Sequence, residues 1–199
     1  MGSQKLKRLK LWVSRLWLLS PERLWLLSIG LHRRGHWILA FWVKQLNSLL
    51  YSNSLGTGAS VSPDIRLGHN SIGIVVTSRV EIGARVKIWQ NVTLSAGRPP
   101  RPQPGPPAAH EAGGSDAQRD LRSLIVIEDD VKIGANAVVI APRGEVLTIG
   151  AAARVGAGTV VTQSVPARSI VVGPPARVIP PRTGADGDRD EDPELEATG

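Results

Sequence analysis

Between residues 55 and 161 large aliphatic residues return every six positions, a spacing that suits neither an α-helix nor a lone β-strand and so governs what this chain can become. Leu55, Val61 and Leu67 are six apart. After a nine-residue step the series resumes at Val76, Ile82, Ile88 and Leu94. It returns after an insert at Ile127, Ile133 and Val139, then at Ile149, Val155 and Val161. All thirteen positions are Leu, Ile or Val. Four residues after most of them stands a second small or branched residue, among them Ala59, Ile65, Val80, Val86, Val92, Val131, Ala137, Ala153 and Thr159. A hexad of this kind is a short strand plus a corner: the first residue points inward, and Gly or a small polar residue permits the turn. Three hexads make one coil. Thirteen of them predict about four and a third coils of parallel β-helix, each burying its apolar residues against the next.

The chain before the repeat is different material. Residues 1–50 carry nine Lys/Arg and one acid, and seven of the eight aromatics fall within residues 1–51. "LSPERLWLLS" offers Ser20 as an N-cap with Pro21 at the first helical position. Gly35 can stop that helix before "HWILAFWVKQLNSLL" begins another, so two or three helices are expected. No uninterrupted apolar run reaches the ~18–20 residues that cross a bilayer, because Arg15, Glu22, Arg23, Arg33, Arg34 and Lys44 intervene. Arg15 also interrupts any signal-peptide core. Trp and Leu interleaved with Lys and Arg suit either a helix lying at a membrane interface or a cap on a hydrophobic core.

Two further segments interrupt or follow the coil. "GRPPRPQPGPPAAHEAGGSDAQRD", residues 97–120, has six prolines between positions 99 and 107 and should leave the coil as an extended loop. Residues 180–199 hold seven acids and two Arg and read as an acidic disordered tail. The balance of +7 has no nucleic-acid motif beside it, so nucleic acid is not an expected partner. The absence of cysteine excludes disulfides and cysteine-ligated zinc and fits a reducing compartment.

"LGHNSIGIVV", "IWQNVTL", "IEDDVKIGANAVV", "VGAGTVVTQSVPA" and "VVGPPARVI", in that order over residues 51–179, resemble the motifs of serine acetyltransferases and the related hexapeptide-repeat acetyltransferases of polysaccharide and natural-product pathways. The resemblance implies a mainly β fold: a left-handed parallel β-helix over 51–179, against the usual right-handed rule for parallel crossovers, preceded by a short α-helical segment over 1–50. It implies an acetyl-CoA-dependent O-acetyltransferase. In that family the histidine of the L-x-H…GIVV segment, here His69, takes the proton from an acceptor hydroxyl as it attacks the thioester. An imidazole, with a reference pKa of about 6.5, suits that task at neutral pH. The three residues that the step from Leu67 to Val76 adds to a plain hexad are enough for a bulge that aims the ring outward into a groove.

Other assignments follow from the same resemblance. His110, in the Pro-rich loop, is a candidate substrate contact. Gly134, Ala135, Gly150, Ala151, Gly156 and Ala157, in "IGAN", "IGAA" and "VGAG", are candidates to line a groove for the pantetheine arm of acetyl-CoA. Arg168 and Arg177 are candidates for its phosphates. A homotrimer, a cytoplasmic location and a small hydroxyl-bearing acceptor are implied, with serine as the default and a sugar, polysaccharide or natural-product hydroxyl as the alternative. No metal is expected: the same fold serves carbonic anhydrases through three histidines, and here His32, His36 and His110 lie outside the coil. Two positions depart from the family pattern. The acidic partner of the base falls on Ser54, and the acid often found just before the histidine is Gly68. A coil that had lost its catalytic acid would serve as a scaffold or membrane-docking protein, the reading from outside the enzyme class.

Overall fold

The computed structural model describes residues 19–96, 124–142 and 144–180. Among the described residues two helices, packed on each other, precede the coil. Helix α1 (Pro21–Arg33) starts as expected, with Ser20 accepting a hydrogen bond from the Arg23 N–H and Pro21 in the first turn. Gly35, at φ +81°, breaks the chain before helix α2 (Trp37–Tyr51).

Fifteen short strands follow: β1 (Ser54–Leu55), β2 (Ser60–Val61), β3 (Arg66–Leu67), β4 (Val75–Val76), β5 (Val80–Ile82), β6 (Lys87–Ile88), β7 (Thr93–Ala96), β8 (Leu124–Ile127), β9 (Lys132–Ile133), β10 (Val138–Ala141), β11 (Val146–Ile149), β12 (Arg154–Val155), β13 (Val160–Val161), β14 (Ile170–Val172) and β15 (Arg177–Ile179). They form the three walls of a prism, ordered β1-β4-β7-β10-β13, β2-β5-β8-β11 and β3-β6-β9-β12-β14-β15, here called walls A, B and C. Strands three apart pair in parallel up to β13, as a coil of three hexads requires; β12 then pairs in parallel with β14, and the last pair, β14 with β15, is antiparallel. The hand is that of the left-handed β-helix.

The period of six becomes the register of the walls. Leu55, Val76, Leu94, Val139 and Val161 stack on wall A. Val61, Ile82, Ile127 and Ile149 stack on wall B, and Leu67, Ile88, Ile133 and Val155 on wall C. All but the half-buried Val61 are buried in one continuous core. The second series, four residues on, is buried as well, so each corner contributes a small or branched residue to the interior. The expected four and a third coils extend to a fifth. After Val161 the step shortens to four, Val165 bridges Ile149, and Val171 completes the Leu67 stack. A strict hexad count ends at Val161 because the corner there is two residues shorter.

The helical hairpin closes the open end of this core. Trp25 is fully buried in it, and its Nε1–H donates to the Gly56 carbonyl at 2.9 Å. Helix α2 is turned the other way: it buries Ala40 and Asn47 while Trp37, Ile38, Phe41, Trp42 and Leu49 are more than half exposed. The tryptophans that look alike in sequence therefore divide into a core plug and an outward face. Trp12 and Trp17 lie outside the described residues. No helix among the described residues is long and apolar enough to cross a membrane.

Candidate active site

His69 stands on the bulge that the extra three residues create. Between β3 and β4 the chain takes left-handed φ at His69 (48°), Asn70 (53°) and Ser71 (60°), then at Gly73 (68°). Three successive non-glycine residues there carry backbone strain, which persists only where the surroundings hold it. A side chain at Gly73 would collide with the Asn91 side chain, so that position needs glycine twice over. The turn exposes His69 and Asn70 to solvent and buries Ser71 completely.

The hairpin and the first strand of the coil supply the restraint. Glu22, in the first turn of α1, accepts the Leu67 N–H two residues before His69 at 3.1 Å. Asn53 donates to Ser71 Oγ at 2.7 Å and to Asn47 Oδ1 at 3.2 Å, and Asn47 donates in turn to the Pro21 carbonyl. The Ser52 carbonyl accepts the Gly73 N–H. A buried polar relay thus runs from α1 through α2 into the histidine turn. Asn53→Ala should leave Ser71 and Asn47 short of a buried donor at a cost of about 1–3 kcal/mol, to be read from urea unfolding. Native stability in that variant would mean that the relay does not hold the turn.

The corner that carries His69 is one of three edges of the prism, each a column of stacked corners. On the edge between walls C and A the 68–74 bulge is followed by Trp89–Asn91, Gly134–Asn136 and Gly156–Gly158, stitched by Asn91 N–H to Ile72 O, Asn136 N–H to Gln90 O and Gly158 N–H to Ala135 O. Gly134, Ala135, Gly156 and Ala157 therefore share the edge of His69. Gly134 is glycine because a Cβ would stand 2.6 Å from the Ala157 backbone nitrogen. Arg177 lies opposite Val172 on β14, and Val172 packs against Gly156, so Arg177 falls toward this edge too.

Gly150, Ala151 and Arg168 are elsewhere, on the edge between walls B and C, where the Arg168 N–H donates to the Ala151 carbonyl. The Ala151 N–H is taken by Glu128 Oε2 at 2.7 Å. This edge is charged. Arg85 grips Asp130 with two 2.7 Å hydrogen bonds, holding that carboxyl below its usual range. The adjacent hollow on wall B, about 480 Å³, has Glu81, Glu128 and Asp129 among its lining residues. The eight groove and phosphate candidates thus split five to three between two edges. Ser54 stands exposed at the start of β1, opposite Val75. His110 lies outside the described residues, as do the loop at 97–120 and residues 181–199. Among the described residues no group of three or more His, Asp or Glu could hold a metal. Sequence reasoning missed Glu22, Asn47, Asn53 and Ser71, whose partners are separated by up to 45 residues.

A prism of stacked hexads with an outward histidine on one edge defines a class, the hexapeptide-repeat proteins of left-handed β-helix fold to which many acyltransferases belong. No family model matches the chain. It is 30% identical over 150 residues to the serine acetyltransferase of Bacillus licheniformis, covering 75% of this chain and 58% of that one. Among solved structures, the Neisseria gonorrhoeae serine acetyltransferase in complex with serine superposes with a TM-score of 0.61 at 26% identity over 79% of this chain and 54% of that one. A serine acetyltransferase in complex with CoA matches in fold, with a TM-score of 0.61, 23% identity, and coverage of 80% of this chain and 55% of that one. In sequence and fold the chain is thus similar to serine acetyltransferases, and it spans less than two thirds of the length of these relatives.

Proposed function

We propose that the chain transfers an acetyl group from acetyl-CoA to a hydroxyl, with serine as the default acceptor and His69 as the base. The observation that carries this reading is the placement of an exposed His69 at the head of the edge on which Gly134, Ala135, Gly156 and Ala157 stack. Small corners leave room for a thin pantetheine arm to lie along that edge toward the histidine, with Arg177 near its far end for phosphate. The Gly150–Ala151 edge suits that arm less well, since its acids oppose phosphate and one of its backbone donors is occupied. His69 accepts the hydroxyl proton as the oxygen attacks the thioester carbon, and the same proton passes to sulfur as the C–S bond breaks, giving an acetate ester and free CoA. A homotrimer belongs to this reading. The outward apolar residues Val75, Ile140 and Val160 of wall A form a strip that a neighbouring copy would cover. The test is acetyl-CoA consumption by the full chain across serine, homoserine and common sugars. Consumption with none of them would sink the reading.

A second proposal concerns α2: its outward face of Trp37, Ile38, Phe41, Trp42 and Leu49, beside Arg33 and Arg34, docks on an anionic membrane surface. Trp37→Ser with Trp42→Ser in the full chain is expected to weaken cosedimentation with anionic vesicles at low salt roughly tenfold or more, since each buried aromatic is worth on the order of 1.5–3 kcal/mol. A parent chain that ignores such vesicles would overturn it.

A further inference from the structure

The corner residues that follow wall C form a column of their own. Leu67, Ile88, Ile133 and Val155 lie opposite one another in register, so the residues next in sequence, Gly68, Trp89, Gly134 and Gly156, take equivalent places at the start of the edge that carries His69. Three of them are glycine, and the other is tryptophan. The glycines are closely overlaid by the next rung: a Cβ on Gly134 would stand 2.6 Å from the Ala157 backbone nitrogen, and one on Gly156 would stand 3.0 Å from Val172 Cγ1. Trp89 is half-buried, and its indole reaches toward the head of the edge, with Cδ1 3.4 Å from where a Cβ on Gly68 would lie. A bulky ring thus stands against the residue that precedes His69.

This rung is fastened to the histidine turn. The Asn91 N–H donates to the Ile72 carbonyl, the Asn91 side chain presses on Gly73, and the Trp89 N–H is held by the Ile133 carbonyl. In the order of the rungs, the indole comes after His69 and before Gly134, Ala135, Gly156 and Ala157. A thioester whose arm lies along those small corners and whose carbonyl carbon reaches His69 must therefore bring its acyl group to the indole. We propose that Trp89 sets the length of that acyl group, closing the thioester end of the edge at the size of an acetyl group. Propionyl and butyryl groups carry one and two further methylenes, which meet the ring. The inference rests on the acetyltransfer reading and adds to it the donor that the edge selects, the shortest of the acyl-CoA thioesters.

Inert S-alkyl thioethers of CoA separate the size limit from the chemistry. By calorimetry the full chain should bind S-ethyl-CoA more tightly than S-butyl-CoA. Trp89→Ala should shift the ratio of the two Kd values toward S-butyl-CoA by about tenfold or more, since a single methylene in a fitted apolar site already discriminates by roughly that factor. With an acceptor that the parent consumes, the ratio of kcat/KM for butyryl-CoA over acetyl-CoA should rise to a similar extent, and Trp89→Phe should fall between. Trp89→Leu, which keeps an apolar side chain beside Gly68, carries the same expectation if the alanine variant does not fold. A parent that binds both thioethers equally, or variants that weaken both by the same factor, would overturn the size limit while acetyl-CoA consumption by the parent left the acetyltransfer reading standing. A parent that binds neither thioether and consumes no acetyl-CoA would overturn both.

Discussion

His69→Ala should slow acetyl transfer by roughly 100-fold to 10,000-fold, the range a positioned general base contributes, while acetyl-CoA binding stays intact. The side chain is exposed on a left-handed turn and is not part of the core, so its removal leaves the packing alone. Ser54 sharpens the experiment, because a carboxylate that orients the imidazole and stabilises its protonated form is absent where the serine acetyltransferase pattern places one. Ser54→Asp should raise turnover in an enzyme whose dyad is incomplete. Full turnover in His69→Ala, measured with an acceptor that the parent consumes well, would refute the mechanism whatever Ser54 does.

The coil was legible because its information is one-dimensional. A residue such as Ile88 makes its contacts with Leu67 and Ile133 through a repeat that can be counted along the chain. What counting misses is anything that depends on which corners share an edge. Gly134, Gly150 and Gly156 sit in nearly identical tetrapeptides, yet the turn after Ile149 joins walls B and C whereas those after Ile133 and Val155 join C and A; only the number of walls passed since His69 tells them apart. The register that aligns Arg66, Lys87, Lys132 and Arg154 on wall C is hidden for the same reason, these residues being 21, 45 and 22 positions apart with an insert between the second and third. Asn47 and Asn53 lie in none of the quoted motifs, and Ser71 lies in one that is read for its histidine. They belong to a relay that exists only once the hairpin has docked.

That dependence of the site on the hairpin sets the other large effect. Trp25→Ala should destabilise the chain by about 3–5 kcal/mol, the cost of truncating a fully buried tryptophan, with a further contribution from the Gly56 carbonyl left without its donor. Trp25→Phe keeps most of the volume and loses the indole hydrogen bond, so it should fall between alanine and the parent. Because α1 also brings Glu22 to the Leu67 N–H and Pro21 to Asn47, loosening it relaxes the strained turn at 69–71 as well. Turnover in Trp25→Ala should therefore decline at temperatures where circular dichroism still reports an intact β-helix. Unfolding and activity that decline together along a single curve would show instead that the hairpin stabilises the coil without positioning the histidine. An unchanged melting temperature would mean that the tryptophan is not the plug its burial makes it.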